Sequence, residues 1–171
     1  MDQNPAKGYK KTESKVFGGI KGGHVNIESK DFVLDFLPGS NPLFPDKKNP
    51  SGGYRLNHNV YWDTVSDKWL TIEVPLTAEQ MNQFRILADS FARTTPYDYA
   101  VFGMRCAAAS YDVLSELGLF KDLPNPKNIR KHFYPKLLRK KMIEWATQNN
   151  YKIIEHEGRD SRKWEKDKGI I

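Results

Sequence analysis

Cysteine is almost absent from this chain: 171 residues carry one, Cys106. A single thiol excludes an intramolecular disulfide framework and any zinc site built on a cysteine cluster. Long apolar runs are missing too, and no stretch approaches the roughly 18 residues of a membrane helix. Residues Met1 to Lys15 are polar and lysine-containing with no apolar segment, so no secretory signal peptide is expected there. The expectation is a protein of the cytoplasm, or one exported without a cleaved signal. Internal repeats, low-complexity blocks and specific nucleic-acid motifs are lacking as well. Histidine is scarce, with four in the chain, so each candidate base can be weighed individually.

What is present describes a globular protein. The 39% hydrophobic and 12% aromatic content is enough for a real core, and the length suits one domain. The net charge of +6 favours anionic partners: a cell-wall polymer, a lipid headgroup, nucleic acid or an acidic protein. Much of the excess lies late, at Lys136, Arg139, Lys140 and Lys141, then at Arg159, Arg162, Lys163, Lys166 and Lys168. The plain reading of those residues is a solvated helix face and a basic tail.

The chain divides into a flexible leader, 1–15, and a single α+β domain, 16–171, ending in the basic tail. Val25 and Ile27 alternate with polar neighbours, Phe32, Leu34 and Phe36 alternate with Val33 and Asp35, and Ser29-Lys30 between the two runs reads as a two-residue hairpin turn. Residues 38–53 are rich in Pro, Gly, Asn and Lys and read as a loop, with the role of a lid, a substrate wall or a connector left open. Tyr54–Asp63 and Trp69–Val74 read as two more strands, joined by a turn at Ser66-Asp67. Thr77 caps a helix to about Ala92, with Met81, Phe84, Ala88 and Phe91 on one stripe. A second helix runs from Cys106 to Leu117 and ends at Gly118. Pro124 and Pro126 break the chain, a third helix runs from Pro135 to about Gln148, and Tyr151–Glu155 is a last short strand. Strands, then helices, then a strand make a small antiparallel sheet packed on helices.

Cys106 follows Tyr97-Asp98-Tyr99-Ala100-Val101-Phe102-Gly103-Met104-Arg105 and falls on the first turn of its helix. Free backbone N–H groups and the positive end of the helix dipole favour a thiolate there. In Gly22-Gly23-His24-Val25-Asn26-Ile27 a histidine opens a strand behind two glycines. Pairing the apolar residues of the hairpin, Val25 with Leu34 and Ile27 with Phe32, sets His24 directly opposite Asp35. Cys106 as nucleophile, His24 as base and Asp35 as its orienter would complete a Cys-His-acid triad. The oxyanion donor would be the Cys106 backbone N–H, with Asn26 or Tyr97 as candidate oxyanion or substrate contacts. His58, on a strand with Asp63 nearby, is the rival base. His132 and His156 lie among basic residues and read as exposed and inert. His24, His58 and an acid lack the tight spacing of a metal site, so neither metal nor cofactor is expected.

Gly-His-Val-Asn-Ile followed by a second short strand resembles the histidine hairpin of the NlpC-like branch of papain-fold cysteine hydrolases. Their usual pattern is His-Val-Gly-Ile-Tyr with a third polar residue on the next strand; Asn26 stands at the glycine and Asp35 at about the third residue. Arg-Cys-Ala-Ala-Ala-Ser, with Tyr97 and Asp98 upstream, resembles the nucleophile segment. Histidine before cysteine is similar to the circularly permuted members, the YiiX-like proteins and lecithin:retinol acyltransferase relatives. The resemblance covers about residues 18–37 and 97–118. It implies a permuted papain-like fold and cleavage of an amide or ester bond through an acyl-enzyme on Cys106. Implied substrates are cell-wall peptides, lipids or protein conjugates. A peptide or amide bond, as in bacterial peptidoglycan, is the leading expectation. The alternatives are lipid ester hydrolysis or acyl transfer on the same triad, and a non-catalytic binding module of the same fold. An inhibitor protein is a further candidate partner.

Overall fold

The computed structural model describes residues 24–39, 43, 52–58 and 69–158. Strands β1 (Asn26–Glu28), β2 (Val33–Leu37) and β3 (Gly53–Asn57) form an antiparallel sheet with β2 in the centre. Strands β4 (Trp69–Glu73) and β5 (Lys152–His156) form a separate antiparallel pair. Four helices lie between β4 and β5 among the described residues: α1 (Ala78–Arg93), α2 (Cys106–Glu116), α3 (Asn125–Lys131) and α4 (Pro135–Gln148). The class is α+β.

The hairpin of β1 and β2 has a different register from the one its apolar pattern suggests. Asn26, not His24, stands opposite Asp35, with Ile27 opposite Leu34 and Glu28 opposite Val33. The cause is the turn. Ser29 Oγ accepts from the backbone N–H groups of Asp31 (3.2 Å) and Phe32 (3.1 Å), and the Ser29 N–H donates to the Phe32 carbonyl at 2.8 Å. The tip is therefore Lys30-Asp31 rather than Ser29-Lys30, because a serine hydroxyl organises a turn from the position before its tip. Moving the tip by one residue moves the register by two. With a side-chain period of two, every residue keeps its face.

β3 pairs with β2, and β4 pairs with β5, so the described parts of the third and fourth strands lie in different sheets. The expected turn at Ser66-Asp67, the leader and the basic tail beyond residue 158 fall outside the described residues. β4 and β5 are joined by more than their ladder: Trp69 stacks on His156 at 4.5 Å, and Thr71 Oγ1 lies 2.9 Å from His156 Nε2.

Leu34, Phe36 and Tyr54 on the inner face of the first sheet meet Phe84 and Ala88 of α1 and Ala108, Ala109 and Val113 of α2 in one core. α1 begins as its sequence suggests. Thr77 and Gln80 satisfy each other's backbone N–H groups in a capping box, at 3.1 and 3.0 Å. α2 is buried on nearly all sides, which its alanines permit by offering no bulk to the elements around it. Gly118, at φ 72°, takes the left-handed conformation just after it. Pro124 and Pro126 do not break the chain but introduce α3, because a proline costs little in a helix's first turn.

α3 also corrects the reading of His132, which caps its end and is buried at 3% exposure. Its Nδ1 lies 2.8 Å from Asn128 Oδ1, while Asn128 Nδ2 donates to the Ala108 carbonyl at 2.9 Å. The ring stacks on Tyr111 with centroids 4.1 Å apart. Asn128 thus ties α3 to α2, and His132 closes the joint.

Candidate active site

Cys106 is the first residue of α2, and its N-cap, Arg105, adopts extended backbone without a side-chain hydrogen bond to the helix. The approach is a tight loop in which the Ala100 N–H donates to the Met104 carbonyl (2.9 Å) and the Gly103 N–H to the Ala100 carbonyl (3.1 Å). That loop delivers the chain into the helix with its first N–H groups uncapped by a side chain, a setting that favours negative charge. The thiol itself is buried, at 3% exposure.

His24 stands just before β1, its side chain 40% exposed, and its Nε2 lies 2.7 Å from Asp35 Oδ1. Two positions of register separate it from direct opposition, and the imidazole reaches the carboxylate diagonally across the pair. Its other nitrogen, Nδ1, is not engaged by Asp35, and imidazole and thiol interact closely enough for each to shift the other's pKa. Carboxylate and imidazole are hydrogen-bonded, and imidazole and thiol are coupled by their charges. The structure brings together Cys106, His24 and Asp35.

The electrostatics of the three groups follow from their partners. Burial alone would depress the His24 pKa, but hydrogen bonds to Asp35 and Cys106 and their charges outweigh it and push it up to about 9. Burial alone would raise the Cys106 thiol. The His24 hydrogen bond and charge, the Val25 backbone N–H and nearby Arg105 hold it below the ordinary thiol range instead. Burial would likewise raise Asp35, yet His24, then Asn26 and Asn57, keep its carboxyl low. The combination favours thiolate, imidazolium and carboxylate together.

The remaining candidates sort by position. Asn26 faces Asp35 across the ladder, and its amide helps hold that carboxyl low without closing a hydrogen bond of good geometry; Nδ2 is a buried donor without a partner. The Tyr97 hydroxyl is engaged elsewhere, 2.6 Å from the Tyr54 hydroxyl and donating to Asp112 Oδ2 at 2.9 Å. Tyr97 therefore braces α2 against the sheet. His58 is exposed at the bend after β3, and its neighbour Asp63 lies outside the described residues. Among the described residues no group of three or more histidine, cysteine or acidic side chains is arranged to hold a metal ion. No described helix is long and apolar enough to cross a membrane.

Two contributors to the site escaped the sequence reading: Asn57, whose Nδ2 donates to Asp35 Oδ2 at 3.3 Å, and the Val25 backbone N–H, which supports the thiolate. Asn57 enters through the pairing of β3 with β2, across a connection with no readable register. No family model matches the chain, and neither the curated proteins nor the solved structures include a match.

Proposed function

We propose that this chain is a cysteine hydrolase of permuted papain-like architecture that cleaves an amide or peptide bond. The observation that carries the reading is the Asp35–His24 hydrogen bond beside Cys106, whose thiol His24 holds low at a helix N-terminus uncapped by a side chain. A buried structural cysteine would be pushed the other way.

In the proposed reaction the Cys106 thiolate attacks the carbonyl carbon. The tetrahedral oxyanion is met by the Cys106 backbone N–H. His24 gives its Nδ1 proton to the leaving nitrogen, the C–N bond breaks, and a thioester to Cys106 remains. Water then loses a proton to His24 and adds to the thioester, releasing the acid and restoring the thiolate–imidazolium pair. Asp35 keeps its proton-free form throughout, orienting the ring and stabilising its charge. The positive net charge is compatible with an anionic substrate, and peptide cross-links of the bacterial cell wall fit that description.

The decisive experiment is the pH dependence of Cys106 alkylation by iodoacetamide in wild type and His24→Ala, since no other thiol competes. The expected result is fast alkylation with an apparent pKa well below the unperturbed value of about 8.5, lost in His24→Ala. A slow thiol indifferent to His24 would refute the hydrolase and favour a binding module. With the pair established, cleavage of wall fragments or of a lipid ester by wild type, abolished in Cys106→Ala, assigns the bond.

A further inference from the structure

Asp35 occupies the central strand of its sheet, so side chains from both neighbouring strands can reach it. On β1 the facing residue is Asn26. On β3 the facing residue is Arg55, a cation that direct opposition would ordinarily bring onto the carboxylate. No ion pair joins Arg55 to Asp35 among the described residues, and Arg55 is exposed. The Asp35 oxygens are taken instead by His24 on Oδ1, at 2.7 Å, and by Asn57 on Oδ2, at 3.3 Å. Asn57 pairs with Val33 and reaches Asp35 along the diagonal.

We infer that Asn57 is a positioning residue of the site, a fourth member that fixes the Asp35 carboxylate for His24 while leaving its charge undiminished. The choice of an amide has a physical reason. A carboxylate held at one oxygen can rotate about its Cβ–Cγ bond, and rotation would withdraw Oδ1 from the imidazole. A donor on the second oxygen prevents this. A guanidinium in that role would neutralise the carboxylate and weaken its support of the imidazolium, whereas an amide donates without adding charge. Asn57 thus also occupies the oxygen that Arg55 would otherwise compete for.

This inference rests on the thiolate–imidazolium pair of the proposed function, and the test separates the two. The alkylation profile of Cys106 with iodoacetamide is recorded for wild type, Asn57→Leu, Asn57→Gln and Arg55→Gln, with a thermal melt of each. Leucine matches the shape of asparagine without the donor, and glutamine keeps the donor. The expected outcome is an alkaline break, near pH 9 in wild type, that moves down by about half to one unit in Asn57→Leu. Alkylation at pH 7 changes little, because the imidazolium is still largely protonated a unit or more below the shifted break; Asn57→Gln restores part of the shift, and Arg55→Gln leaves the profile unchanged. An Asn57→Leu profile superimposed on wild type would overturn the inference while sparing the pair, and so would an equal shift in Arg55→Gln. An ordinary thiol in wild type would overturn both. Should Asn57→Leu not fold, Asn57→Ser withdraws the amide from Asp35 at smaller cost in volume and is expected to shift the break in the same direction.

Discussion

Two histidines flank the same helix and are driven in opposite directions. His24 lies by the first residue of α2, bonds a carboxylate, feels the charge of a thiolate, and has its pKa pushed up to about 9. His132 packs beside the middle of α2, bonds a neutral amide, and lies near Lys141 and Lys131; burial and those cations press its pKa down to about 4. Burial lowers both. The difference comes from the partner, since a carboxylate and thiolate repay the desolvation of an imidazolium and an amide does not. One ring is thereby kept charged, and the other is kept neutral as a packing element. Its tautomer follows from the network: Asn128 Nδ2 is committed to Ala108, so Asn128 Oδ1 accepts and His132 Nδ1 carries the proton.

Exchanging each ring for alanine gives the largest expected contrast. His24→Ala should slow Cys106 alkylation at neutral pH by about two orders of magnitude while moving the melting temperature little, because that side chain is already 40% exposed. His132→Ala should do the reverse. It removes a stacked, buried ring and strands Asn128 Oδ1, a change expected to cost about 2–4 kcal/mol in denaturant unfolding, with the thiol pKa of the folded protein unaltered. Equal effects of the two variants on alkylation would erase the distinction.

The pH dependence of stability should separate them next. A raised folded pKa stabilises fully below the unfolded value of about 6.5 and loses that contribution as pH climbs through about 9, so His24 shapes the alkaline limb. A lowered folded pKa stabilises above about 6.5 and loses that contribution as pH falls through about 4, so His132 shapes the acid limb. Urea titrations from pH 4 to 9.5 should accordingly show an acid-side slope flattened in His132→Phe and an alkaline-side slope flattened in His24→Ala. Turnover, by contrast, should decline near pH 9 as the imidazolium loses its proton, irrespective of His132.

A subtler exchange converts one environment towards the other. Asn128→Asp places a carboxylate at 2.8 Å from the buried ring in place of the amide oxygen. The His132 pKa, followed by NMR of its ring protons, should rise by a unit or more, while Cys106 alkylation stays as in wild type. A His132 pKa unmoved by the new charge would show that desolvation, not the partner, decides the state of that ring.

The site was more legible in the sequence than its details. Alternation in Val25–Ile27 and Phe32–Phe36 was enough to put His24 and Asp35 on one face, and it survived a wrong register because a shift of two residues preserves parity. What that pattern could not disclose was the turn: Ser29 captures two backbone N–H groups, a local preference that outweighs the pairing suggested by the apolar residues. The start of α2 at Cys106 was readable from the change of pattern after Gly103, and α1 from Thr77 and Gln80. The burial of His132 was hidden because its neighbours in sequence, Arg130 and Lys131, are basic, whereas its neighbours in space are Asn128 and Tyr111.

The residues by themselves determined the strands and three of the four described helices, the common face of His24 and Asp35, and a lone thiol at a helix start, because periodicity and capping act over a few residues. Tertiary structure alone decided that β3 would bring Asn57 rather than Arg55 onto Asp35, that Cys106 would sit where His24 and the Val25 backbone hold its thiol low, and which histidine would be charged. Those outcomes depend on groups distant in sequence meeting at hydrogen-bond distance in a desolvated interior, where the identity of the partner sets the sign of the pKa shift.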